Sequence, residues 1–354
     1  MQDDECNTQS PKNIAEYNAD EKWMDVAIKL GSSQIPFTPP NPWVGCVLIT
    51  KSGEAFYGAT QPPGGKHAEI VAIEAAGDKA RGSTMYVTLE PCSHYGRTPP
   101  CTQSIIKAGV NRVFIALADP DKKVNGDGIR QLQSASIECR LGLCAEQAAK
   151  SLLPYLKHRN TGKPFVVLKL AATMDGYIAA PDYSSKWITG EEARKDAHRL
   201  RSESGAVLVG ANTVRHDDPE LTVRLVEGNN PLRIVLGKVD KKSNTQPLLE
   251  WTSGVEELLD YLGEKGILQL LVEGGSKVAG TFHDKGLVDK YIIYFTPGFL
   301  GNGSGVHMIS GVGAQHLSQI WRGKFGNVQK IGEDLRVEIV PTTFDTILTK
   351  LSQL

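Results

Sequence analysis

Apolar and polar residues follow two patterns along the first half of the chain, one typical of helices and one typical of buried strands. Residues 21–30 place Trp23, Val26 and Leu30 on one helical face, whereas residues 44–50 are almost continuously apolar, as in a buried strand. The same patterns predict further strands at 84–89 and 112–116 and helices at 70–76, 102–108 and 128–133. Strands that alternate with helices predict a layered α/β domain.

The second half repeats this pattern after a polar break. A helix-like segment over residues 145–161 leads into a polar stretch with Gly and Pro at 158–164. We therefore predict a flexible tail over residues 1–18, a first domain over 19–160 and a second domain over 161–354. Beyond the break, an apolar strand begins at Pro164, and residues 268–272 form a strand that a helix at 277–285 follows. The second domain is therefore also predicted to be α/β.

The composition of the chain narrows the class of protein. Its 354 residues favour two domains, and a formal net charge of −1 argues against a large nucleic-acid footprint. No apolar run approaches the roughly eighteen residues of a membrane span. The N-terminus is polar and acidic, without an apolar signal core. We therefore expect a cytoplasmic protein that binds neither nucleic acid nor membrane.

The richest chemistry lies in one short stretch of the first domain. His67, Cys92 and Cys101 offer one imidazole and two thiolates, and Glu69 adds a carboxylate two residues from the histidine. Thiolate and imidazole ligands suit Zn²⁺, and three protein ligands leave its fourth position to water. Zinc lowers the pKa of such a water from about 15.7 to roughly 7, while a nearby carboxylate carries protons. The pattern favours a catalytic zinc site over a structural zinc or a pair of core cysteines.

The other four of the six cysteines are too scattered for a disulfide framework. We expect them to be free thiols, namely Cys6, Cys46, Cys139 and Cys144.

This stretch resembles the deaminase half of the bifunctional riboflavin-biosynthesis deaminase/reductase family. The resemblance rests on Asn-Pro-Trp-Val-Gly at 41–45, His-Ala-Glu at 67–69 and the run from Glu90 to Cys101. Ordinary cytosine-type deaminases carry two residues between their thiolates, whereas this chain carries eight, which is typical of the riboflavin family. The resemblance implies a cytidine-deaminase-like domain in which His67, Cys92 and Cys101 bind zinc and Glu69 is catalytic.

The resemblance also implies substrate contacts around the zinc. Asn41 and His94 would hold the pyrimidine, Arg97 would recognise the substrate or its phosphate, and Asp119 would lie in a substrate-binding loop. Plainer interpretations stay open, because Asn41 could be a turn residue before proline and Arg97 a solvated loop charge.

Two positions depart from the family pattern. Thr60 stands where some members carry a histidine, and Asp121 stands where Asn is often found. A hydroxyl cannot titrate near neutrality, so we do not assign Thr60 a catalytic role. The resemblance therefore does not extend to the base or ribose contact at Asp121.

The second domain opens with a lysine inside an apolar strand. Lys169 is costly to bury unless it meets an anion or its ammonium group reaches water, so it is a candidate site residue, with snorkelling as the alternative. A Met-Asp-Gly turn follows at 174–176, then a Trp-Ile-Thr-Gly run at 187–190 and an Asp-Asp-Pro run at 217–219.

These motifs, in this order, resemble the reductase half of the same family, which has a dihydrofolate-reductase-like fold. The resemblance implies a substrate-binding set, and its members are Lys169, Ser185, Trp187, Thr189, Arg201, Asp217, Arg224 and Glu273. Arginines suit a ribose phosphate, and carboxylates suit sugar hydroxyls. Asp217 could instead form a turn before Asp-Pro, and Trp187 could be a core residue.

The reductase half implies NADPH as a second cofactor. Gly274 and Gly275 follow a strand and precede a helix, where exposed amides can hold a pyrophosphate, and Gly210 with Asn212 could supply further backbone contacts. The Gly pair is equally compatible with a tight turn. No Gly-x-Gly-x-x-Gly fingerprint follows a strand, which disfavours a doubly wound nicotinamide domain.

The resemblance therefore implies a bifunctional enzyme of riboflavin biosynthesis. Zinc-dependent deamination of 2,5-diamino-6-ribosylamino-4-pyrimidinone 5′-phosphate would precede NADPH-dependent reduction of its ribosyl chain, and the family suggests a homo-oligomer. A tRNA or nucleoside deaminase with an unrelated second domain is an alternative that the near-neutral charge disfavours. A nucleotide-binding pseudoenzyme is a third interpretation, which the intact metal motif disfavours.

Overall fold

A computed structural model describes residues 11–95, 99–121, 124, 126–186 and 188–352. The chain forms two compact units. The first extends up to Leu156 and also includes the residues from Leu348 onward, and the second spans Lys157–Ile347. The units thus divide four residues before the predicted boundary at 160/161, which stays a prediction.

The first unit has one five-stranded sheet with helices. Its helices are α1 (Pro11–Ser32), α2 (Ala68–Ala76), α3 (Cys101–Ala108), α4 (Asp127–Ser134) and α5 (Ala145–Thr161), the last of which runs on into the second unit. Its strands are β1 (Gly45–Ile49), β2 (Ala55–Ala59), β3 (Thr84–Val87), β4 (Arg112–Ile115) and β5 (Glu138–Leu141). The strand order is β2-β1-β3-β4-β5. β1 pairs antiparallel with β2 and β3, whereas β3, β4 and β5 are parallel.

Close packing of α2 on the sheet fixes the start of that helix. A Cβ at Gly58 in β2 would lie 2.0 Å from the carbonyl oxygen of Ala68, so only glycine permits this approach. The first turn of α2 is therefore held against the sheet, beside the end of β3.

The predicted flexible tail over residues 1–18 lies partly outside the described residues, which begin at Pro11. Residues 11–18 belong to α1. The bounds of a tail stay a prediction.

The second unit is built on a mixed eight-stranded sheet. The strands of this unit, including two that lie outside the large sheet, are β6 (Phe165–Thr173), β7 (Tyr177–Ala179), β8 (Ala206–Gly210), β9 (Leu232–Leu236), β10 (Leu249–Trp251), β11 (Gln269–Val272), β12 (Lys290–Thr296), β13 (Val306–His307), β14 (Gly323–Ile331) and β15 (Asp334–Pro341). Its helices are α6 (Glu191–Ser202), α7 (Ala211–Asp217), α8 (Val255–Glu264), α9 (Ser276–Asp284) and α10 (Phe344–Ser352), whose last residues belong to the first unit.

The order of the large sheet is β10-β9-β8-β11-β6-β12-β15-β14, and β13 pairs with β7 in a separate ribbon. All neighbours from β10 to β12 are parallel, whereas β15 and β14 are antiparallel. A core of buried Leu168, Leu208, Leu270 and Phe282 fixes the sheet against α8 and α9. The carboxyl ends of β6, β8 and β11 therefore meet at one edge, where ligands bind in open α/β sheets.

Within the described ranges, no helix combines the length and apolar character needed to cross a membrane.

Candidate active sites

Three chain segments bring the predicted metal ligands together. His67 immediately precedes α2, Cys101 is the first residue of α3, and Cys92 lies in the loop that follows β3. Two helix N-termini thus face one strand end. Their positive ends favour thiolates and the carboxylate of Glu69 in the first turn of α2.

The geometry of these side chains fits a zinc ion. The Nδ1 atom of His67 lies 3.2 Å from Sγ of Cys101 and 3.6 Å from Sγ of Cys92, and all three ligand atoms lie within 4.8 Å of one another. Ligands 2.0–2.3 Å from a tetrahedral zinc lie roughly 3.3–3.8 Å apart. The three side chains are therefore spaced to hold Zn²⁺ and to leave its fourth position open.

The charges of the cluster are shared between its members. The pKa of Cys92 is lowered to about 4, first by its hydrogen bond with Cys101, while that hydrogen bond and burial raise the pKa of Cys101. The backbone N–H of Cys101 also donates to Sγ of Cys92 at 3.3 Å. One thiolate is therefore favoured by the protein itself, as metal binding requires.

Glu69 is held apart from water beside the ligands. Its side chain is buried, and burial together with the charge of Cys92 raises its pKa. A carboxyl group in this position can hold a proton next to the reacting atoms.

A second carboxylate braces the loop that carries Cys92. Glu90 is buried, and its oxygens accept backbone N–H bonds from Asp119, Gly126 and Ile129 at 3.0–3.2 Å. These bonds tie the chain before Cys92 to the loop after β4 and to the start of α4. The sequence did not assign Glu90 a role, because nothing local in Glu-Pro-Cys indicates partners 29 to 39 residues away.

The residues that were predicted to bind the deaminase substrate differ in how exposed they are. Asn41 is half-buried and His94 is exposed on the loop after β3, whereas Arg97 lies outside the described residues. Thr60 has a structural role, since its hydroxyl accepts the N–H of Val44 at 3.1 Å. Substrate contacts of Asn41 and His94 stay predictions.

Asp119 is buried, and its carboxylate already has partners. The Tyr155 hydroxyl donates to both oxygens at 3.0 and 3.2 Å, and the N–H of Asp121 donates at 2.9 Å. These bonds hold α5 to the loop after β4. Burial nevertheless raises the pKa of Asp119 to about 6.

We expect Asp119→Asn to stabilise the protein at alkaline pH. Because the folded-state pKa lies above the unfolded value of about 3.9, the carboxyl favours the fold below pH 4 and loses this contribution as pH rises through 6. An amide oxygen keeps one acceptor without the charge. The gain in unfolding free energy at pH 8 over pH 4 should be about 2 kcal/mol by denaturant titration. Asp78→Asn, at an exposed carboxyl, should show no such gain. An equal gain in Asp78→Asn, or no gain in Asp119→Asn, contradicts the raised pKa of Asp119.

The five cysteines of the described part of the chain are free. Among them are Cys46, Cys139 and Cys144, as the sequence predicts, while Cys6 lies outside the described residues.

A cavity of about 900 Å³ opens at the carboxyl edge of the large sheet in the second unit. Every described residue of the predicted reductase set contributes to its lining, namely Lys169, Ser185, Thr189, Arg201, Gly210, Asn212, Asp217, Arg224, Glu273, Gly274 and Gly275. Trp187 lies outside the described residues. Side chains that are more than one hundred residues apart in sequence thus share one site.

The floor of this cavity is a buried ionic cluster. Arg201 donates to both oxygens of Glu273, from Nε at 2.6 Å and from Nη2 at 2.9 Å. Lys169 Nζ lies 3.8 Å from Glu273 Oε2, too far for a hydrogen bond, and above the Tyr294 ring. Although burial raises it, the pKa of Glu273 is lowered to about 2 by Arg201. The lysine therefore meets an anion, as its place in an apolar strand requires, and keeps its donors for a ligand.

Other predicted substrate residues already have protein partners. Ser185 Oγ donates to Asp217 Oδ1 at 2.8 Å, which joins two predicted residues directly. Arg201 uses the N–H of Nε and one N–H of Nη2 for Glu273, and its Nη1 donates to the Thr222 carbonyl at 3.4 Å. Arg224 Nη1 contacts Glu220 and Thr222 at 2.7 and 2.6 Å, so a bound phosphate would have to compete with exposed partners.

The N-terminus of α9 fits a dinucleotide phosphate. Gly274 and Gly275 precede α9, and at the first residue of this helix the Ser276 hydroxyl is buried with no hydrogen-bond partner in the part of the chain that the structure describes. An orphaned hydroxyl beside free amide N–H groups is a ready set of donors for phosphate oxygens. A Cβ at Gly274 would also lie 2.5 Å from Val278, so packing by itself requires this glycine.

The cavity lining also includes polar residues that the sequence did not point to, and His198 is one of them. His198 is buried on α6 and lines the cavity, one helical turn before Arg201. The signal was present, since positions i and i+3 of a helix share a face.

Two family models match the chain. The model of the cytidine and deoxycytidylate deaminase zinc-binding region matches residues 17–117, and that of the RibD C-terminal domain matches residues 164–337.

Individual proteins match across both units. The riboflavin biosynthesis protein RibD of Aquifex aeolicus is 36% identical over 347 residues, which cover 89% of this chain and 97% of that protein. The solved structure of Acinetobacter baumannii RibD, form 1, has a TM-score of 0.86 at 35% identity and covers 92% of this chain and 99% of that chain. A Thermotoga maritima structure, described as a diaminohydroxyphosphoribosylaminopyrimidine deaminase/5-amino-6-(5-phosphoribosylamino)uracil reductase, has a TM-score of 0.83 at 34% identity, covering 92% and 99%.

Proposed function

The chain belongs to the riboflavin biosynthesis protein RibD family, and from this premise we propose how its residues divide two reactions. The protein is a zinc-dependent pyrimidine deaminase and an NADPH-dependent reductase of riboflavin biosynthesis. The first unit deaminates 2,5-diamino-6-ribosylamino-4-pyrimidinone 5′-phosphate, and the second reduces the ribosyl chain of the product. The observation that carries this assignment is that each unit holds its own complete constellation.

His67, Cys92 and Cys101 hold the zinc in the deaminase site. When bound, zinc supplies an attacking water of lowered pKa. Glu69 takes a proton as the new C–O bond forms and gives it to the departing nitrogen as the C–N bond breaks, so that ammonia leaves. Its burial keeps bulk water from exchanging that proton. Asn41, His94, Arg97 and Asp119 are proposed to position the substrate.

The reductase site works by placement and charge. NADPH, when bound, supplies a hydride for C1′ of the sugar. Gly210, Asn212, Gly274 and Gly275 are proposed to hold the cofactor by backbone contacts. Lys169 donates to the sugar chain, since its ammonium group lies 3.8 Å from Glu273, too far for a hydrogen bond. The remaining proposed substrate contacts are Ser185, Trp187, Thr189, Arg201, Asp217, Arg224 and Glu273.

Mass analysis of products tests this function directly. Purified zinc-loaded protein should convert the phosphorylated diaminopyrimidine to its deaminated form with release of ammonia. Adding NADPH should then add two hydrogens to that product. Deamination without reduction would indicate a deaminase alone. If neither reaction occurred, the proposal would be overturned.

The protein is proposed to act as a cytoplasmic homo-oligomer. β14 forms one edge of the large sheet and is almost wholly exposed. Phe325 on this strand is 75% exposed, and Val328 and the nearby Trp321 are also exposed. A long exposed edge strand that carries apolar side chains is normally covered, so pairing with a second copy of the chain would remove both the unpaired edge and the apolar surface.

Phe325→Glu is expected to shift the protein from a dimer or larger assembly toward a single chain of 38.4 kDa. A charge in place of the exposed aromatic side chain of this edge strand opposes its burial against a second copy. Light scattering after size-exclusion chromatography measures the mass. Ser253→Glu adds the same charge at an exposed position before α8 and should leave the assembly intact. A wild-type monomer, or an unchanged mass for Phe325→Glu, contradicts this interface.

A further inference from the structure

His198 is a buried histidine that the two proposed reactions leave without a role. Only 6% of its surface is exposed, and that surface lies in the lining of the reductase cavity. It belongs to α6, which also carries Arg201 into the same cavity.

One ring nitrogen of His198 is committed to the protein. Its Nδ1 atom accepts the backbone N–H of Arg224 at 3.0 Å, so Nδ1 carries no proton. A neutral imidazole must then carry its hydrogen on Nε2. Burial, followed by the charges of Arg201 and Arg224, lowers the pKa of His198 to about 4, which keeps the ring neutral at physiological pH.

The other ring nitrogen is available to a ligand. Among the described residues, the Nε2–H of His198 has no hydrogen-bond acceptor. The small exposed part of the ring lies in the cavity lining, so a ligand in the cavity can accept this hydrogen bond.

The charges that act on His198 favour an anion. Lys169, Arg201 and Arg224 are cations within electrostatic range of the ring, and Glu273 is the one anion among its main charged neighbours. Arg201 already engages both oxygens of Glu273. Arg224 is paired with the exposed Glu220 at 2.7 Å, and Lys169 lies 3.8 Å from Glu273. The ring therefore lies beside cations whose partners are exposed or distant, and its neutral N–H can only donate.

We propose that the Nε2–H of His198 donates a hydrogen bond to the 5′-phosphate of the pyrimidine substrate in the reductase cavity. This inference rests on the proposed function for the identity of the substrate. NADPH also carries phosphates, but the N-terminus of α9 offers them separate donors. By holding the N–H of Arg224 through Nδ1, the same ring fixes the loop that brings the Arg224 guanidinium to the cavity.

Two substitutions of His198 distinguish the roles of its two ring nitrogens. In His198→Asn, the amide oxygen can replace Nδ1 as acceptor for Arg224, but nothing replaces the Nε2–H. In His198→Gln, the longer amide can place an N–H where Nε2 stands. Loss of phosphate recognition should therefore follow the asparagine variant and not the glutamine variant.

Steady-state reduction measures this difference. His198→Asn should raise the KM for the deaminated, phosphorylated substrate roughly 10- to 100-fold, the range expected for one hydrogen bond to a charged group. The KM for NADPH and the KM for the dephosphorylated substrate should change less than about threefold. A rise in the KM for NADPH would assign the donor to the cofactor, and an equal rise for both substrates would assign it to the sugar. Either result overturns the proposal.

Ligand-induced stabilisation supplies a readout that does not depend on turnover. Ribose 5-phosphate should raise the melting temperature of the wild type and of His198→Gln, but much less that of His198→Asn, whereas ribose should have no effect. Equal stabilisation of all three proteins by ribose 5-phosphate contradicts the proposal. If His198→Asn fails to fold, loss of the phosphate response in folded His198→Gln contradicts it instead. Failure of the proposed function looks different, because the wild type would then not oxidise NADPH with the deaminated substrate at all.

Discussion

Glu69→Gln should lower the rate of ammonia release by about 10³-fold while the protein keeps one zinc per chain. Glutamine matches the shape of glutamate and fits the same buried position in α2, but it cannot accept and return a proton. The ligands His67, Cys92 and Cys101 are untouched, so metal content should not fall. NADPH oxidation with the deaminated substrate should stay at the wild-type rate, because that reaction belongs to the other unit.

Three measurements decide this prediction. An ammonia assay gives the rate, elemental analysis gives the zinc content, and absorbance at the NADPH band gives the reductase rate. Glu74→Gln is the matched control, since Glu74 lies on the same helix but is exposed and paired with Lys66. Persistence of ammonia release in Glu69→Gln would mean that another group carries the proton. Loss of zinc would mean that Glu69 supports the metal instead.

Lys169→Gln should produce the opposite pattern. We expect kcat/KM for NADPH-dependent reduction to fall by about 100-fold, because a charge-assisted hydrogen bond to the substrate is lost from a site sheltered from water. The ammonium group lies 3.8 Å from Glu273, with 18% of the side chain exposed. Glu273 keeps its two bonds from Arg201 after the substitution, so no carboxylate is left buried without a partner.

The outcome is measured with the deaminated substrate and NADPH, alongside ammonia release from the first substrate. Lys290→Gln serves as the control, since Lys290 lies in the same sheet, outside the cavity lining, and is also 3.8 Å from a carboxylate, that of Glu338. An unchanged rate of reduction in Lys169→Gln would mean that this lysine only extends its ammonium group to water and does not contact the substrate. Loss of deamination alone would reject the division into two separate sites.

Local sequence was sufficient for several structural elements. Helix α5 spans Ala145–Thr161 as its pattern predicts, and β1, β3 and β4 each lie inside the predicted strands. These segments carry their own periodicity and clear end signals, which a single stretch of chain can express. The fold class and both cofactors implied by the family resemblance are confirmed by the matching family models and relatives.

Other elements could not be found in this way. The hairpin of β14 and β15 was not predicted, although it forms one end of the large sheet. Much of β14 is polar and exposed in a single chain, so its pattern lacks the apolar side that marks a strand. Strand pairing depends on partners that are distant in sequence, and no local pattern names those partners.

The sequence by itself determined the chemistry of this protein, because a metal selects its ligands by residue type and spacing, and both are visible in the sequence. His67, Glu69, Cys92 and Cys101 could be identified in that way. Only the tertiary structure decided which groups are free to act. It pairs Arg201 with Glu273 and occupies the carboxylate of Asp119 with Tyr155, and within the described ranges it leaves one nitrogen of His198 without a partner. The reason is physical: charge and hydrogen-bonding capacity depend on burial and on neighbours, which exist only after distant segments have packed together.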